Sequence, residues 1–307
     1  MATTLVHSHW WAGLSRVADP KITLASMASV FIGASAAARD GPISWPWLLL
    51  TVAGIFFIEA AKNASGEIFD WESGADLNVA DEDRSPFSGG KRVLVEGLMT
   101  RGELGVLAAL LYMLAAAVGF AIVALREPYV LWLGLAGAAL AFFYHAPPLR
   151  LSYRGLGELT VALAYGPMIC AGTYLVQRRA LSADVIALAL PLALLVAAFL
   201  WINEFPDARA DAKAGKRTLV VRLGRRDASR IYPVIAGVAY LALLALPLLG
   251  TTRWVWLGLA GAPLSAAAAH RLWFDYGDTQ RVVAAQGWTL IAFVTAAVGV
   301  GIGLLVG

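Results

Sequence analysis

The chain has 307 residues, 59% hydrophobic and 15% charged, with a formal net charge of +3. Soluble domains carry about 25% charged residues, so this composition, with a mean hydropathy of +0.69, excludes an ordinary soluble fold and predicts an all-α integral membrane protein. The isoelectric point of 9.1 is not a nucleic-acid signal, because the basic residues gather in connections that flank apolar runs.

Read in windows of about 20 residues, the apolar runs predict about nine membrane-spanning helices. In chain order they fall near 22–38, 45–62, 103–124, 129–145, 158–176, 184–202, 231–250, 254–272 and 285–306. A polar-leaning start from Met1 to Lys21 precedes the first run, which has no clean small-residue cleavage site and so reads as a retained helix. Glycine and alanine recur inside the runs, as expected where membrane helices approach closely. Trp45, Trp47, Trp132, Trp254, Trp256 and Trp288 sit near the proposed ends, where indole favours the headgroup layer. The single cysteine, Cys170, lies in an apolar run and reads as a small buried hydrophobe.

Orientation follows from the basic residues. Of the 24 lysines and arginines, 19 fall on the side of the N-terminus and of the connections after the even-numbered spans, and 5 on the other. The positive-inside rule puts the N-terminus and those connections in the cytoplasm, in a bacterial-type inner membrane. Two of these connections, 63–102 and 203–230, are long and charged, and long loops in a compact fold are usually functional or disordered. They are expected to form a cytoplasmic cap over a central cavity. A weak internal symmetry, in which a helix leads to Asn, carboxylates and a basic loop once in each half, predicts a single domain over 1–307 built from pseudo-repeats of about 16–150 and 151–300.

The acidic clusters carry the chemistry. Asn63, Glu67 and Asp70 lie at i, i+4 and i+7 of one helical face, with Asp76 just beyond; Asn203, Asp207 and Asp211 lie at i, i+4 and i+8. Pro206 leaves strict helicity of the second cluster open. Carboxylates at the ends of membrane helices are costly unless paired, which makes them functional candidates. Oxygen ligands of this kind suit Mg2+, which keeps waters and bridges carboxylates to substrate phosphates. Two facing clusters are therefore expected to clamp a diphosphate through metal ions, with Lys216, Arg217, Arg84, Lys91 and Arg92 neutralising it. Single charges invite plainer readings. Glu72, Glu82 and Asp83 read as surface charge, Arg209 as a partner of Asp207 and Asp211, and His145 as a packing or capping residue beside Pro147 and Pro148.

With these motifs and the nine-span pattern, the chain resembles the UbiA superfamily of intramembrane prenyltransferases. Phe69-Asp70-Trp71-Glu72-Ser73-Gly74-Ala75-Asp76 resembles the F-D-x-x-x-G-x-D of the 1,4-dihydroxy-2-naphthoate polyprenyltransferases of menaquinone synthesis. The run from Asp207 to Leu219 matches their D-x-x-x-D-x-x-x-G-K-R-T-L. Tyr144 to Arg150, Gly155-Leu156-Gly157-Glu158 and Gly172-Thr173-Tyr174 also look like that subgroup. Two places depart from it: Gly66-Glu67 stands where Asn-Asp is usual, and Ser85-Pro86-Phe87-Ser88-Gly89-Gly90 is not the usual insert.

The resemblance implies Mg2+-dependent transfer of an isoprenyl group from a prenyl diphosphate to an aromatic acceptor, 1,4-dihydroxy-2-naphthoate or a related quinone precursor, through an allylic cation. It implies Glu67, Asp70, Asp76, Asp207 and Asp211 as metal ligands, with Lys216 and Arg217 on the departing diphosphate. Phe69, Tyr144, Tyr174 and Trp201 are expected to shield the cation with their ring faces. Asn63, Asn203, Lys21, Arg84, Lys91, Arg92 and Arg150 are expected to contact substrate, Lys21 and Arg150 steering an acidic acceptor. The competing expectations are a terpene cyclase of the same superfamily and, from another class, a transporter, whose charges belong at mid-membrane depth rather than at one rim.

Overall fold

A computed structural model describes residues 3–307, with side chains from Trp10 onward. Met1 and Ala2, which open the expected domain and its polar start, lie outside the described residues. Among the described residues there are twelve α-helices and no strand. They are α1 (Thr3–Ala18), α2 (Pro20–Arg39), α3 (Trp45–Ser73), α4 (Arg101–Leu125), α5 (Val130–Phe143), α6 (Gly157–Leu163), α7 (Ile169–Arg178), α8 (Ala183–Lys213), α9 (Leu219–Leu223), α10 (Arg225–Ala245), α11 (Ala262–Asp275) and α12 (Thr279–Val306).

Among the described residues seven helical stretches are long and apolar enough to cross a membrane: Trp10–Arg39, Trp45–Ser73, Arg101–Leu125, Gly157–Arg178, Ala183–Lys213, Arg225–Leu249 and Thr279–Val306. The other two expected spans fall on shorter elements. The run 129–145 becomes α5, a helix of 14 residues. The run 254–272 opens as a 3-10 segment, Arg253–Gly261, before Pro263 starts α11. The fourth long stretch is broken as well: Ala164–Met168 widens into a π turn between α6 and α7, with Gly166 outside helical geometry and Pro167 within it.

The apolar surface is inverted relative to a soluble protein. On α4, Val106, Leu110, Met113, Phe120 and Leu125 are exposed, as are Trp132 and Leu135 on α5. The interior holds Ser26, Ser29, Glu59, Asn63, Glu67 and Asp70. Hydrocarbon tolerates the first set, whereas the second requires a protein-lined interior. The chain is a multi-pass membrane protein by this pattern. Its larger apolar core joins α2, α7, α8, α10 and α12 around Ile32, Leu188, Phe205, Tyr232 and Phe293. A smaller core, with Val17, Ala61, Ala64 and Leu104, joins α1, α3 and α4.

The two longest helices position the acidic motifs. At 1.5 Å per residue, the 29 residues of α3 and the 31 of α8 span about 43 and 46 Å, against a hydrocarbon core of about 30 Å. Each therefore overshoots by several turns, and those turns carry the carboxylates. The presumed connections 63–102 and 203–230 thus begin as helix; α8 runs through Pro206 to Lys213. Gly74, in the left-handed region at φ 84°, ends α3 as a C-terminal glycine commonly does.

Candidate active site

At its last turns α3 presents Lys62, Asn63, Gly66, Glu67 and Asp70 to a cavity of about 210 Å3, and α8 presents Asn203, Glu204, Asp207 and Asp211 from the opposite wall. The connection after α3 supplies Asp76 and the segment Phe87–Lys91, and the start of α2 supplies Lys21. The two motifs therefore meet in one space. Asp70, Asp76 and Asp211 are all buried, and Lys216 stands between the walls, its Nζ 3.5 Å from Asp211 Oδ1 and 3.7 Å from Asp70 Oδ2. Burial opposes the Lys216 charge, but Asp211 and Asp70 outweigh it and hold its pKa well above the usual lysine range. Tyr153 donates to Asp70 Oδ1 at 2.7 Å, and His145 Nε2 lies 3.5 Å from Oδ2.

The acids differ in how they are satisfied. Glu67 accepts the Lys91 and Leu94 amides, at 3.1 and 3.0 Å on separate oxygens, so it pins the α3–α4 connection while it faces the cavity. Asp76 is pushed well above the usual carboxylate range by burial and then by Asp70 and Glu67. Five buried oxygens of residues lining this cavity lack any hydrogen-bond partner: Asp76 Oδ2, Ser88 Oγ, Asn203 Oδ1, Glu204 Oε2 and Asp207 Oδ1. Orphaned buried oxygens cost free energy unless something occupies them. A set of hard oxygen donors fits Mg2+. Among the described residues no three carboxylates, histidines or cysteines converge tightly enough to enclose an ion by themselves.

The segment 85–91 roofs the cavity. Phe87 packs edge-on against Phe199 at 6.3 Å, Lys21 donates to the Pro86 carbonyl, and Lys91 pairs with Asp19. Gly90 has φ 74°, and a Cβ there would collide with the Asp76 carboxylate; only glycine allows that approach. Gly66 plays a similar part on α3, since a Cβ would meet the His145 ring at 2.6 Å. Ser85 Oγ donates to Gln286 at 2.6 Å, which ties the roof to α12.

Several expected residues stand elsewhere. Arg217 is exposed while its amide bonds the Tyr153 carbonyl; in the turn after α8 its neighbour Lys216 takes the inward place. Arg84 is exposed and pairs with Asp81, and Arg92 pairs with Glu96. Arg150 lies over the Tyr153 ring at 5.3 Å and does not line the cavity. Asn63 lines it but spends its amide on the Val17 carbonyl at 2.9 Å.

Among the aromatic candidates only Tyr144 lines the cavity. Tyr174 donates to Asp40 at the far end of α2, Trp201 donates to the Ala228 carbonyl, and Phe69 packs on Phe142. Asp83 is buried rather than surface charge. It holds Arg209 through two bonds of 2.7 and 2.8 Å and accepts from Thr279 at 2.9 Å, so Arg209 is turned away from Asp207 and Asp211. His145 faces the site rather than merely capping a helix. Cys170 is buried, as expected.

Sequence reading missed Tyr153, Asp19, Glu59, Lys62 and Glu204. Glu59 and Lys62 carried a usable signal, since ionisable residues inside an apolar span are functional candidates by default. Tyr153 carried none.

A second cavity, of about 350 Å3, adjoins the first between α3, α4, α5 and the α6–α7 stretch. Its walls are apolar, with Ile55, Ile58, Val118, Leu133, Ala141 and Met168. The exposed Phe120 and Leu135 on its rim open it onto the apolar flank of the bundle. Lys62, Tyr144, Val161 and Tyr165 line both cavities and form the neck between them.

Membrane-length helices closed around a charged cavity with an apolar side cleft define the class, an integral membrane protein with an internal site. The pattern of the UbiA prenyltransferase family matches residues 26–291, and the chain belongs to that family; it is a prenyltransferase. It is 30% identical over 265 residues to the 1,4-dihydroxy-2-naphthoate octaprenyltransferase of Mycobacterium tuberculosis, covering 85% of each chain. It is 27% identical over 269 residues to the enzyme of the same name from Haemophilus influenzae, covering 85% of this chain and 84% of that one. Its fold is similar to the UbiA homolog from Archaeoglobus fulgidus bound to GPP and Mg2+, at a TM-score of 0.63 and 16% identity over 96% of this chain and 100% of that one.

Proposed function

We propose that this protein transfers an isoprenyl group from a prenyl diphosphate to an aromatic acceptor, 1,4-dihydroxy-2-naphthoate or a close analogue. One observation carries the reading: a small cavity with facing acidic and basic walls opens through a neck into an apolar cleft, which matches a donor with a diphosphate head and a hydrocarbon tail. The names of the relatives and the GPP and Mg2+ bound in the structural neighbour support the same assignment.

Glu67, Asp70, Asp76, Asp207 and Asp211 are the residues to hold Mg2+, with Asn203 beside them. Bound there, Mg2+ would neutralise diphosphate charge and make it a better leaving group. Lys216, Lys91 and Lys21 supply preorganised positive charge to the same oxygens, stabilising charge that grows as the C–O bond lengthens. Tyr153 fixes Asp70 by hydrogen bonding. Tyr144 stands in the neck, where the carbon that becomes cationic would lie within reach of its ring. The apolar cleft holds the tail alongside the acceptor ring and keeps water from the cation, and the 85–91 roof closes the charged end.

The topology belongs to the same proposal. Nine crossings are reached if α5 and the Arg253–Asp275 stretch also cross, which places the N-terminus and the acidic rim in the cytoplasm of a bacterial-type inner membrane by the positive-inside rule. The pseudo-repeats of about 16–150 and 151–300 then form a single domain with the site between them.

The test is product analysis. Purified protein with Mg2+ and geranylgeranyl diphosphate is expected to give a prenylated naphthalene product only when 1,4-dihydroxy-2-naphthoate is added. A cyclic hydrocarbon formed equally without acceptor would instead assign a terpene cyclase.

A further inference from the structure

Resting on the proposed transfer reaction, we infer that Glu59 and Lys62 recognise the acceptor, Glu59 by accepting a hydrogen bond from a ring hydroxyl and Lys62 by pairing with a carboxylate on the same ring. Both sit on α3 at i and i+3, one turn apart on one face. Glu59 is 7% exposed and lines the otherwise apolar cleft. Its Oε2 accepts from Ser26 Oγ at 2.9 Å, whereas its Oε1 is buried without a well-formed hydrogen bond, with the Tyr165 side chain as its polar neighbour. A carboxylate oxygen left unpaired in an apolar wall is costly, and a hydroxyl donor arriving in the cleft removes that cost.

Lys62 stands in the neck. Its ammonium lies 5.2 Å from the Tyr144 ring centroid, and no carboxylate among the described residues comes within ion-pair distance of it. It lines both cavities, so an anion bound to it sits beside the donor's reacting carbon rather than at the diphosphate end. An apolar slot with one unpaired acceptor and one unpaired cation, a helical turn apart, fits a flat aromatic ring that bears a free hydroxyl and an ionised carboxyl group. A ring with neither group leaves both protein charges unanswered, and discrimination against it follows from those unpaired groups.

The test compares acceptors under a fixed donor, geranylgeranyl diphosphate with Mg2+. The acceptors are 1,4-dihydroxy-2-naphthoate, its 4-methyl ether and 1,4-dihydroxynaphthalene. Wild-type protein is expected to favour the first over each of the others by at least tenfold in kcat/KM. Glu59→Met, which has no oxygen acceptor, is expected to lose the preference for the free hydroxyl while keeping that for the carboxylate, and Lys62→Met the reverse. Glu59→Met is also expected to bind geranyl thiodiphosphate with Mg2+ as wild type does. Equal slowing of all three acceptors in both variants, with preferences intact, overturns the assignment and marks a structural role. Wild-type indifference among the acceptors overturns it without any variant. Transfer to none of them overturns instead the reaction on which it rests.

Discussion

Replacing Lys216 with glutamine separates two consequences that a generic loss of structure would not. At 3.5 Å from Asp211 and 3.7 Å from Asp70, each contact is worth about 4–5 kcal/mol at an effective dielectric near 20, before desolvation is subtracted. Removing one partner of such a buried cluster costs about 3 kcal/mol of stability, because the remaining carboxylates lose their counter-charge. The metal-free variant is therefore expected to melt below wild type. Magnesium then meets no competing ammonium, so the Mg2+-induced rise in melting temperature is expected to be larger in the variant. Turnover falls by about 10²–10³, the usual cost of losing one donor to a leaving group. Thermal melts with and without Mg2+, together with a radiolabelled transfer assay, read all three. A variant with the wild-type magnesium response and wild-type turnover refutes the placement of Lys216 between the metal ligands and the diphosphate.

Asp76→Asn tests an acid held well above the usual carboxylate range. Because burial and its acidic neighbours favour the protonated form, the neutral amide is expected to leave metal-free stability within about 1 kcal/mol, while Mg2+-dependent transfer falls at least tenfold; a melt and an activity assay check the pair. Asp83 anchors the roof to α8 and α12. Burial alone would raise its pKa, but Arg209 and Thr279 outweigh that and lower it. The anchor is then complete above the ordinary carboxylate range and is lost as pH falls through the lowered value. Limited proteolysis of the 75–100 connection is expected to accelerate in wild type only below about pH 4, and at every pH in Asp83→Asn.

What the sequence disclosed, and what it hid, follow from the range of the interactions involved. The two motifs were legible because helical spacing alone puts Asn63, Glu67 and Asp70 on one face and Asn203, Asp207 and Asp211 on another. That the faces look at each other depends on α3 and α8 overshooting the apolar layer at the same end; parity put both clusters on one side, but ending the spans at 62 and 202 hid the overshoot. Lys216 and Arg217 were indistinguishable in sequence, since both follow α8 and only the turn decides which points inward. Asp83 read as surface charge because its burial is made by Arg209, Arg225 and Thr279, residues from 126 to 196 positions away. Tyr174 and Trp201 failed as cavity aromatics for the same reason, as phase along a helix does not say which interior face meets the cavity. Ending the second span at residue 62 put Lys62 at the span's edge, although α3 continues to Ser73 and keeps it at the neck. The run 254–272 lost regular helicity over its first part, which holds Gly258 and Gly261, and becomes an α-helix only where Pro263 sits in the first turn of α11.

The central claim, that both acidic helix ends grip one magnesium-bound diphosphate, is tested most directly by calorimetric titration of geranyl thiodiphosphate into wild-type, Asp70→Asn and Asp207→Asn protein, each with Mg2+ and with EDTA. Binding is expected to require Mg2+ and to weaken at least tenfold in each variant, one from each wall. Tight binding in EDTA, or wild-type affinity in both variants, contradicts it.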